Sequence, residues 1–223
     1  MSEVFHLYLI RHGQSANNAL PESERVEDPG LTTIGVEQAR RLADRFRDEP
    51  ITHLLTSGFL RAVETMLPLS QAVDPNPEIW TDLHEVGGCF AGYEYGKLEG
   101  RPGMNRQTLS DRYPDYTLPD DIDHAGWWKS RPFEQFEDAR RRAEQQSQRI
   151  LQTFHGTSAR VACVIHADFK ALLLEALLQH EYGPYASADL VNAGVTWLVC
   201  RTDRVSVEEF NDSSHLPEDL VTS

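Results

Sequence analysis

An arginine, a histidine and a glycine follow a short apolar run near the start of the chain. The run covers residues 7–10, and Arg11, His12 and Gly13 come directly after it. This pattern is typical of a buried strand that delivers reactive groups to the edge of a sheet. The guanidinium of Arg11 can bind an anion through two hydrogen bonds, and the imidazole of His12 can attack phosphorus or transfer a proton. We interpret this stretch as the base of a phosphate pocket.

Three further charged residues follow predicted strands or begin a predicted helix. Glu85 follows the third predicted strand, His166 follows the strand over residues 161–165, and Arg61 lies in the first turns of a helix. Because the carboxyl ends of parallel strands meet at one edge of an α/β sheet, and a helix N-terminus favours anions, we expect these residues to converge. The expected site contains two histidines, two arginines and one glutamate.

That set of side chains suits phosphoryl transfer through a histidine. Arg11, Arg61 and His166 would supply the charge and the donors that phosphoryl oxygens need. Nearby arginines lower the pKa of His12, which keeps its imidazole neutral and free to attack. Glu85 is the acid placed to protonate a leaving alkoxide. Taken alone, Arg61 and Glu85 are better explained as structural or surface residues, but the combination favours the catalytic interpretation.

The elements that must position these residues alternate between strand and helix. This alternation predicts a three-layer α/β domain with an antiparallel addition late in the chain. Ser57 is expected to cap the second of the predicted helices, and the tail from residue 211 is expected to be coil. Residues 140–142 are expected to face solvent, although one of them could reach the pocket. The predicted strands cover residues 4–10, 51–56, 78–81, 161–165, 195–200 and 204–210, and the main helices cover about 32–47, 57–72, 133–154 and 169–178.

Residues 86–132 differ in character from the rest of the chain, being rich in glycine, proline and aromatic residues. They are too many for a plain connection, so we expect an insertion that covers the site, within a single domain spanning residues 1–223. One short helix is expected around residues 105–113. The aromatic residues could stack on a substrate or pack the insertion onto the domain, and packing is the better explanation. The residues concerned are Tyr93, Tyr95, His124, Trp127 and Trp128.

Composition narrows the class of partner. A formal net charge of -14 over 223 residues argues against nucleic acid or an anionic membrane, since both favour basic surfaces. A small phosphorylated substrate is compatible, because a pocket can be locally positive on an acidic protein. The three cysteines form no CxxC pair, and no apolar run is long enough for a signal peptide or a membrane span. We therefore expect a cytoplasmic enzyme.

Taken together, these motifs resemble the histidine phosphatase superfamily, in its phosphoglycerate mutase-like branch. The resemblance covers nearly the whole chain apart from the insertion. Residues 11–15 with Asn18 are similar to the RHGE[ST]xxN signature, and residues 28–39 are similar to the PLTxxGxxQA segment. Residues 57–65 resemble the SxxxRaxeTa segment, and Glu85 and His166 match the acid and the second histidine. Residues 192–196 and 211–216 resemble the closing segments.

The resemblance implies a fold, a mechanism and a set of roles. The fold is an α/β/α sandwich around a mostly parallel mixed sheet with one antiparallel strand, and the mechanism is phosphohistidine chemistry without a metal or another cofactor. His12 is implied as the nucleophile and Glu85 as the proton donor. The implied phosphate ligands are Arg11, Asn18, Arg61, His166 and the backbone N–H of Ala167.

The sequence departs from the family pattern at several positions. Gln14 replaces the usual glutamate, an exchange that would weaken the orientation of His12, and Asn17 stands where many members have tryptophan. Ala167 replaces a common glycine but keeps its N–H. Asp168 lies one position later than the aspartate of the acid-phosphatase branch, so the acid is expected at position 85 rather than here.

The sequence therefore predicts a phosphatase that cleaves small phosphomonoesters through phosphorylated His12. A phosphomutase is the alternative enzyme, although residues 19–22 lack the Phe-Thr-Gly-Trp segment of cofactor-dependent phosphoglycerate mutases. A protein that binds a phosphorylated ligand without turnover is the alternative outside enzymes. A homodimer through an exposed edge strand is compatible with the sequence.

Overall fold

The computed structural model describes residues 4–94, 96–179 and 189–223. A six-stranded sheet lies at its centre. Its strands and those of a small hairpin are β1 (Phe5–Arg11), β2 (His53–Thr56), β3 (Pro77–Ile79), β4 (Phe90–Ala91), β5 (Glu99–Gly100), β6 (Arg160–Ile165), β7 (Val195–Cys200) and β8 (Val205–Asp212). The sheet order is β3-β2-β6-β1-β7-β8, and β7 runs antiparallel to both of its neighbours while the other pairs are parallel. The predicted mixed sheet with one antiparallel strand is confirmed.

Helices cover both faces of this sheet. They are α1 (Ala16–Ala19), α2 (Thr33–Phe46), α3 (Leu60–Ala72), α4 (Arg106–Arg112), α5 (Phe136–Phe154) and α6 (Ala167–Leu178), and three single turns of 3₁₀ helix cover residues 22–24, 81–83 and 218–220. Alternate residues of β1 point to opposite sides, so Tyr8 and Ile10 pack with α2 and α3, whereas Leu7 and Leu9 pack with α5 and α6. The result is the predicted three-layer sandwich. Among the described residues, no helix has the length and apolar character needed to cross a membrane.

Helix α3 begins later than predicted, and Ser57 does not cap it. The N-cap residue is Phe59, and Asp28 Oδ1 accepts the N–H of Leu60 at 2.8 Å. The hydroxyl of Ser57 instead lies 2.7 Å from Nε2 of His166. The prediction failed because a distant carboxylate satisfies the helix N-terminus, which frees the serine for the site.

The third strand also differs from its prediction, since β3 ends at Ile79 and Glu85 does not directly follow a strand. The N–H of Trp80 still pairs with Thr56 O at 2.9 Å, and the chain then turns through the 3₁₀ helix at residues 81–83. Glu85 therefore lies on a loop. What holds it in place is the packing of that loop and not the sheet ladder.

The insertion packs against α3 and contains the expected short helix, α4, which Asn105 caps by accepting the N–H of Thr108 at 2.9 Å. Trp127 and Trp128 are buried in the core that includes α3, so their packing role is confirmed. His124 is exposed and Tyr93 is 59% exposed. Tyr95 lies outside the described residues.

Two regions that were predicted to be coil or solvated make specific contacts. The tail is not plain coil, because β8 extends to Asp212, Leu216 is buried, and Leu220 O accepts a hydrogen bond from Gln38 Nε2 at 2.7 Å. Arg142 on α5 was predicted on the solvated side of the helix, but it is 7% exposed. It lies on the buried face of α5, and its charge is satisfied by the acceptors described below.

Candidate active site

Parallel pairing of two strands brings both predicted site histidines together. Arg11 at the end of β1 is paired with Ile165 at the end of β6, so the next residue of each strand, His12 and His166, emerges at the same level. The two imidazole centroids lie 5.1 Å apart, and the N–H of His12 donates to Ile165 O at 2.9 Å. Both rings are buried, at 3% and 0% exposure.

The hydrogen bonds of His12 define one neutral tautomer. Its Nδ1 lies 2.7 Å from Gly13 O, an acceptor that requires the proton on Nδ1. Its Nε2 accepts the Nε–H of Arg61 at 3.1 Å. Burial and then the charges of Arg61 and Arg11 hold the pKa of His12 well below its ordinary value, so the imidazole is neutral near pH 7. The residue is thus a buried neutral base with its Nε2 lone pair facing a cation.

Gly13 supports this geometry through its own neighbours. Its N–H donates to Thr65 Oγ1 at 2.9 Å, and Thr65 donates to Arg61 O at 2.7 Å. A side chain at position 13 would collide with the backbone of Gly35, because a Cβ there would lie 2.7 Å from Gly35 O. The close approach of α2 therefore explains why a glycine follows His12.

The two arginines approach from different elements. Arg61 is the second residue of α3, and its guanidinium carbon lies 4.0 Å from the ring centroid of Phe59. Arg11 donates from Nη1 to Leu190 O, and its Nε is buried without an acceptor within the described parts of the chain. Both side chains line the same cavity as His12.

His166 precedes α6 as its N-cap residue. Its Nε2 bonds with Ser57 Oγ, while its Nδ1 is buried and has no partner among the residues that the structure describes. Burial and then the charge of Arg61 hold the pKa of His166 well below its ordinary value. Sequence reasoning missed Ser57 as a partner of this histidine, although both lie in segments that end a strand of the same sheet.

The carboxyl of Glu85 lies against the N-terminus of α6. Its Oε1 accepts the N–H groups of Val86 and Phe169, both at 2.9 Å, and its Oε2 accepts that of Asp168 at 3.3 Å. Burial and the neighbouring Asp168 carboxylate raise the pKa of Glu85 above its ordinary value, whereas these N–H bonds oppose the rise. Oε2 makes the longer bond, so it is the better oxygen to carry a proton.

The remaining predicted phosphate ligands also line the cavity. Asn18 uses Oδ1 to accept the N–H and the hydroxyl of Ser15, at 3.0 and 2.9 Å. Its Nδ2 is therefore the end of the side chain that can donate to an anion. Ala167 is the first residue of α6, so no carbonyl within that helix can accept its N–H. Six of the seven predicted site residues thus line one cavity, whereas His166 does not line it and lies buried with its ring 5.1 Å from that of His12.

The two departures from the family signature serve the surrounding loops. Gln14 Oε1 accepts the hydroxyl of Thr32 at 2.7 Å, so this side chain is directed to the start of α2 and not to His12. Asn17 bonds both backbone groups of Val26, donating from Nδ2 at 2.6 Å and accepting on Oδ1 at 3.0 Å. Asn17 therefore fastens the loop of residues 20–27, which forms one wall of the cavity.

The cavity has a volume of about 510 Å³. Its floor carries the charged groups described above. Its outer wall combines apolar side chains with carboxylates, and the T-shaped pair of Phe90 and Phe133 has centroids 4.9 Å apart. The outer residues are Glu22, Arg25, Val26, Glu27, Val86, Phe90, Tyr93, Leu98, Phe133 and Asp168.

Comparison with known proteins gives a consistent assignment. The family model described as histidine phosphatase superfamily (branch 1) matches residues 7–213. A probable phosphoglycerate mutase GpmB from Proteus mirabilis (strain HI4320) is 30% identical over 119 residues, which are 52% of this chain and 54% of that protein. The chain therefore spans about half the length of the curated relatives it matches.

Solved structures share the fold. Phosphoserine phosphatase from Entamoeba histolytica, in complex with 3-phosphoglyceric acid, aligns with a TM-score of 0.66 at 20% identity, covering 96% of this chain and 100% of that one. YhfR from Bacillus stearothermophilus aligns with a TM-score of 0.66 at 24% identity, covering 95% and 98% of the two chains. At these identities the likeness establishes the fold alone.

Proposed function

Because the chain belongs to the histidine phosphatase superfamily, we propose that it hydrolyses small phosphomonoesters through a phosphohistidine formed on His12. One observation carries this proposal. His12 donates a hydrogen bond from Nδ1 to Gly13 O, its Nε2 accepts the Nε–H of Arg61, and both residues line one cavity together with Arg11. A buried neutral imidazole beside paired cations is suited to attack phosphorus and poorly suited to a merely structural role.

The first step is attack of His12 Nε2 on phosphorus. The N–P bond forms as the ester P–O bond breaks, and the phosphoryl oxygens are held by Arg11, Arg61 and the other donors of the cavity floor. In the free protein Arg61 Nε–H occupies the Nε2 lone pair. Substrate binding must therefore transfer that donor from the imidazole to a phosphoryl oxygen before attack.

The leaving oxygen takes its proton from Glu85, which becomes a carboxylate. In the second step this carboxylate accepts a proton from water as the water oxygen attacks phosphorus and the N–P bond breaks. Inorganic phosphate leaves, and both His12 and protonated Glu85 are restored. The raised pKa of Glu85 and its place on the cavity wall support this acid–base role.

The outer wall favours substrates whose leaving group has no second anionic group. It presents aromatic and aliphatic side chains together with the carboxylates of Glu22, Glu27 and Asp168. Within the described residues, Arg25 is the one cation of this outer wall, and it donates to Asn17 O at 3.1 Å and lies 3.6 Å from a Glu22 oxygen. A carboxylate on the substrate would meet like charge there, whereas an apolar or aromatic group would find a matching surface.

A phosphomutase is the second candidate, because the curated relatives carry the name probable phosphoglycerate mutase. That reaction requires the active site to exclude water from the phosphohistidine and to hold a carboxylate-bearing acceptor. The acidic outer wall supports hydrolysis over this alternative.

The test is a panel of phosphomonoesters assayed with and without EDTA. We expect phosphate release from several neutral or aromatic esters, unaffected by the chelator, and weak activity on 3-phosphoglycerate. Isomerisation of 3-phosphoglycerate with a bisphosphate primer, faster than phosphate release, would instead establish the mutase. Phosphate binding without turnover on any ester would contradict both enzymatic assignments.

A further inference from the structure

A buried ion pair lies behind the loop that carries Glu85, outside the cavity. Arg142 on α5 donates from Nε to Glu134 Oε1 at 2.8 Å and from Nη2 to Glu134 Oε2 at 2.7 Å. The side chains are only 8% and 11% exposed. A buried ion pair is weak evidence for stability, because the cost of removing both charges from water offsets their attraction. The other contacts of Arg142 and Glu134 point to a role in positioning the loop of Glu85 instead of a role in stability.

The pair holds the chain on both sides of Glu85. The remaining donor of the guanidinium, Nη1, bonds to Asp82 O at 2.7 Å and to His84 O at 3.0 Å. On the far side, the backbone N–H of Glu134 bonds to Gly87 O at 3.1 Å. The loop ends are therefore tied to one rigid planar group and its partner.

The same guanidinium also supports the groups that bind the Glu85 carboxyl. Its central carbon lies 4.1 Å from the ring centroid of Phe169. The N–H of Phe169 donates to Glu85 Oε1 at 2.9 Å. Arg142 thus contacts both the loop that carries the Glu85 carboxyl and Phe169, whose N–H binds that carboxyl. It does not itself line the cavity.

We propose that Arg142, fixed by Glu134, is a positioning residue that holds the Glu85 carboxyl at the N-terminus of α6, in reach of the leaving oxygen. This inference rests on the proposed function of Glu85 as the acid. An arginine suits the task because a planar fork can satisfy a carboxylate and two carbonyls at once, which a lysine cannot do. A shift of about 1 Å in a catalytic group can cost on the order of 10²-fold in rate.

A comparison of two leaving groups distinguishes a positioning role of Arg142 from a merely structural one. An alkoxide needs a proton as it departs, whereas p-nitrophenolate is a weak base and leaves without one. Loss of fold or of folded protein lowers both reactions equally. Glu85 also acts as the base of the second step, which is the same for both esters and contributes to kcat. The comparison therefore uses kcat/KM, which reports only the steps up to phosphoryl transfer to His12, and misplacement of the acid lowers kcat/KM for the alkyl ester selectively.

The experiment compares kcat/KM for an alkyl phosphate and p-nitrophenyl phosphate in Arg142→Gln and in the matched control Arg141→Gln. Arg141 is the adjacent arginine, with a 67% exposed side chain paired to Asp138. We expect Arg142→Gln to lower kcat/KM for the alkyl ester by about tenfold or more, with less than about a threefold change for the aryl ester. Arg141→Gln should match the wild type on both, and equal losses on both esters in Arg142→Gln would overturn the proposal.

A double-mutant cycle with Glu85→Gln tests whether the effect passes through the acid. If it does, Arg142→Gln adds no further loss on the alkyl ester in the Glu85→Gln background, whereas additive losses would overturn the proposal. Should Arg142→Gln fail to fold, Glu134→Gln and Arg142→Lys replace it, with the same selective loss expected at smaller size. Trapping of phosphorylated His12 in the wild type separates a failure of this proposal from a failure of the proposed function. If no phosphorylated His12 forms in the wild type, the proposed function itself is refuted.

Discussion

Arg61 donates from Nε to the Nε2 atom of His12 across 3.1 Å. The cation that would bind the phosphoryl group therefore also occupies the lone pair that would attack it. Burial and then this guanidinium lower the pKa of His12 and keep its imidazole neutral in the free protein, because both disfavour a positive charge on the ring. This arrangement also couples attack to substrate binding, since the lone pair is released when the guanidinium turns to a phosphoryl oxygen.

Replacing Arg61 should change the pH dependence as well as the rate. Arg61→Gln removes a charge that lowers the pKa of His12, so that pKa rises and the acid limb of the pH–rate profile moves to higher pH. We expect kcat to fall by about 10²- to 10³-fold, as for the loss of one preorganised donor. Arg61→Lys keeps the charge, so its acid limb should stay near that of the wild type. An unmoved limb in Arg61→Gln would contradict this account.

Replacing Glu85 should remove the alkaline limb of the pH–rate profile. The acid must be protonated for the first step, so activity falls as pH rises through its raised pKa. Glu85→Gln cannot donate a proton, and we expect kcat on an alkyl phosphate to fall by about 10²- to 10⁴-fold with no alkaline limb. The rate of phosphoryl transfer from p-nitrophenyl phosphate to His12 should fall less, because p-nitrophenolate leaves without a proton. Measuring Asp168→Asn in parallel tests the neighbouring carboxyl, and an equal effect there would point to Asp168 as the acid.

The carboxylates of the outer wall should set the preference among substrates. Glu22→Gln combined with Glu27→Gln removes two negative charges from the cavity wall. We expect kcat/KM for 3-phosphoglycerate to rise several-fold relative to that for p-nitrophenyl phosphate, most clearly at low salt. Glu24→Gln is the control, because Glu24 lies in the same 3₁₀ turn and does not line the cavity. If the ratio of the two kcat/KM values does not change, the electrostatic argument for substrate preference is wrong.

Parallel pairing explains why much of the site could be predicted from sequence. The two histidines each follow an apolar strand, and adjacent parallel strands deliver their next residues to one edge. The same reasoning was less accurate for Glu85, which lies on a loop beyond a 3₁₀ turn. Its position depends on contacts with α5 and α6, which are distant in sequence and leave no local pattern.

The residues that were missed act through long-range hydrogen bonds. Asp28 caps α3 from 32 positions away, and Ser57 contacts His166 across 109 positions. Asn192 donates to His12 O at 3.2 Å from the far end of the chain. Helical spacing alone could not show that Arg142 is buried, because arginine is usually a surface residue and two of its acceptors are backbone carbonyls about 60 positions away.

A buried lysine should make stability depend on pH. Lys170 is 0% exposed, donates to Gly194 O at 3.0 Å, and has a pKa lowered to about 7 by burial and then by Arg11. Between that value and the unfolded pKa, the unfolded chain binds a proton that the folded chain lacks, so this residue makes stability rise with pH.

Lys170→Met should abolish that contribution. We expect the difference in unfolding free energy between Lys170→Met and the wild type to change by up to about 1.4 kcal/mol per pH unit above pH 7. Urea denaturation at pH 7 and pH 9 measures it, with Lys97→Met as the exposed control, since the Lys97 side chain is 75% exposed. Parallel pH profiles of Lys170→Met and the wild type would show that the lysine does not titrate in this range.

The central claim is that a phosphoryl group passes through Nε2 of His12. The most direct measurement is rapid mixing with excess p-nitrophenyl phosphate, a denaturing alkaline quench, and mass spectrometry of the peptide that contains residue 12. We predict one phosphoryl group on His12 in the wild type and none in His12→Gln, which should lose nearly all turnover. Rapid turnover with no phosphorylated His12, or full activity in His12→Gln, would contradict the account.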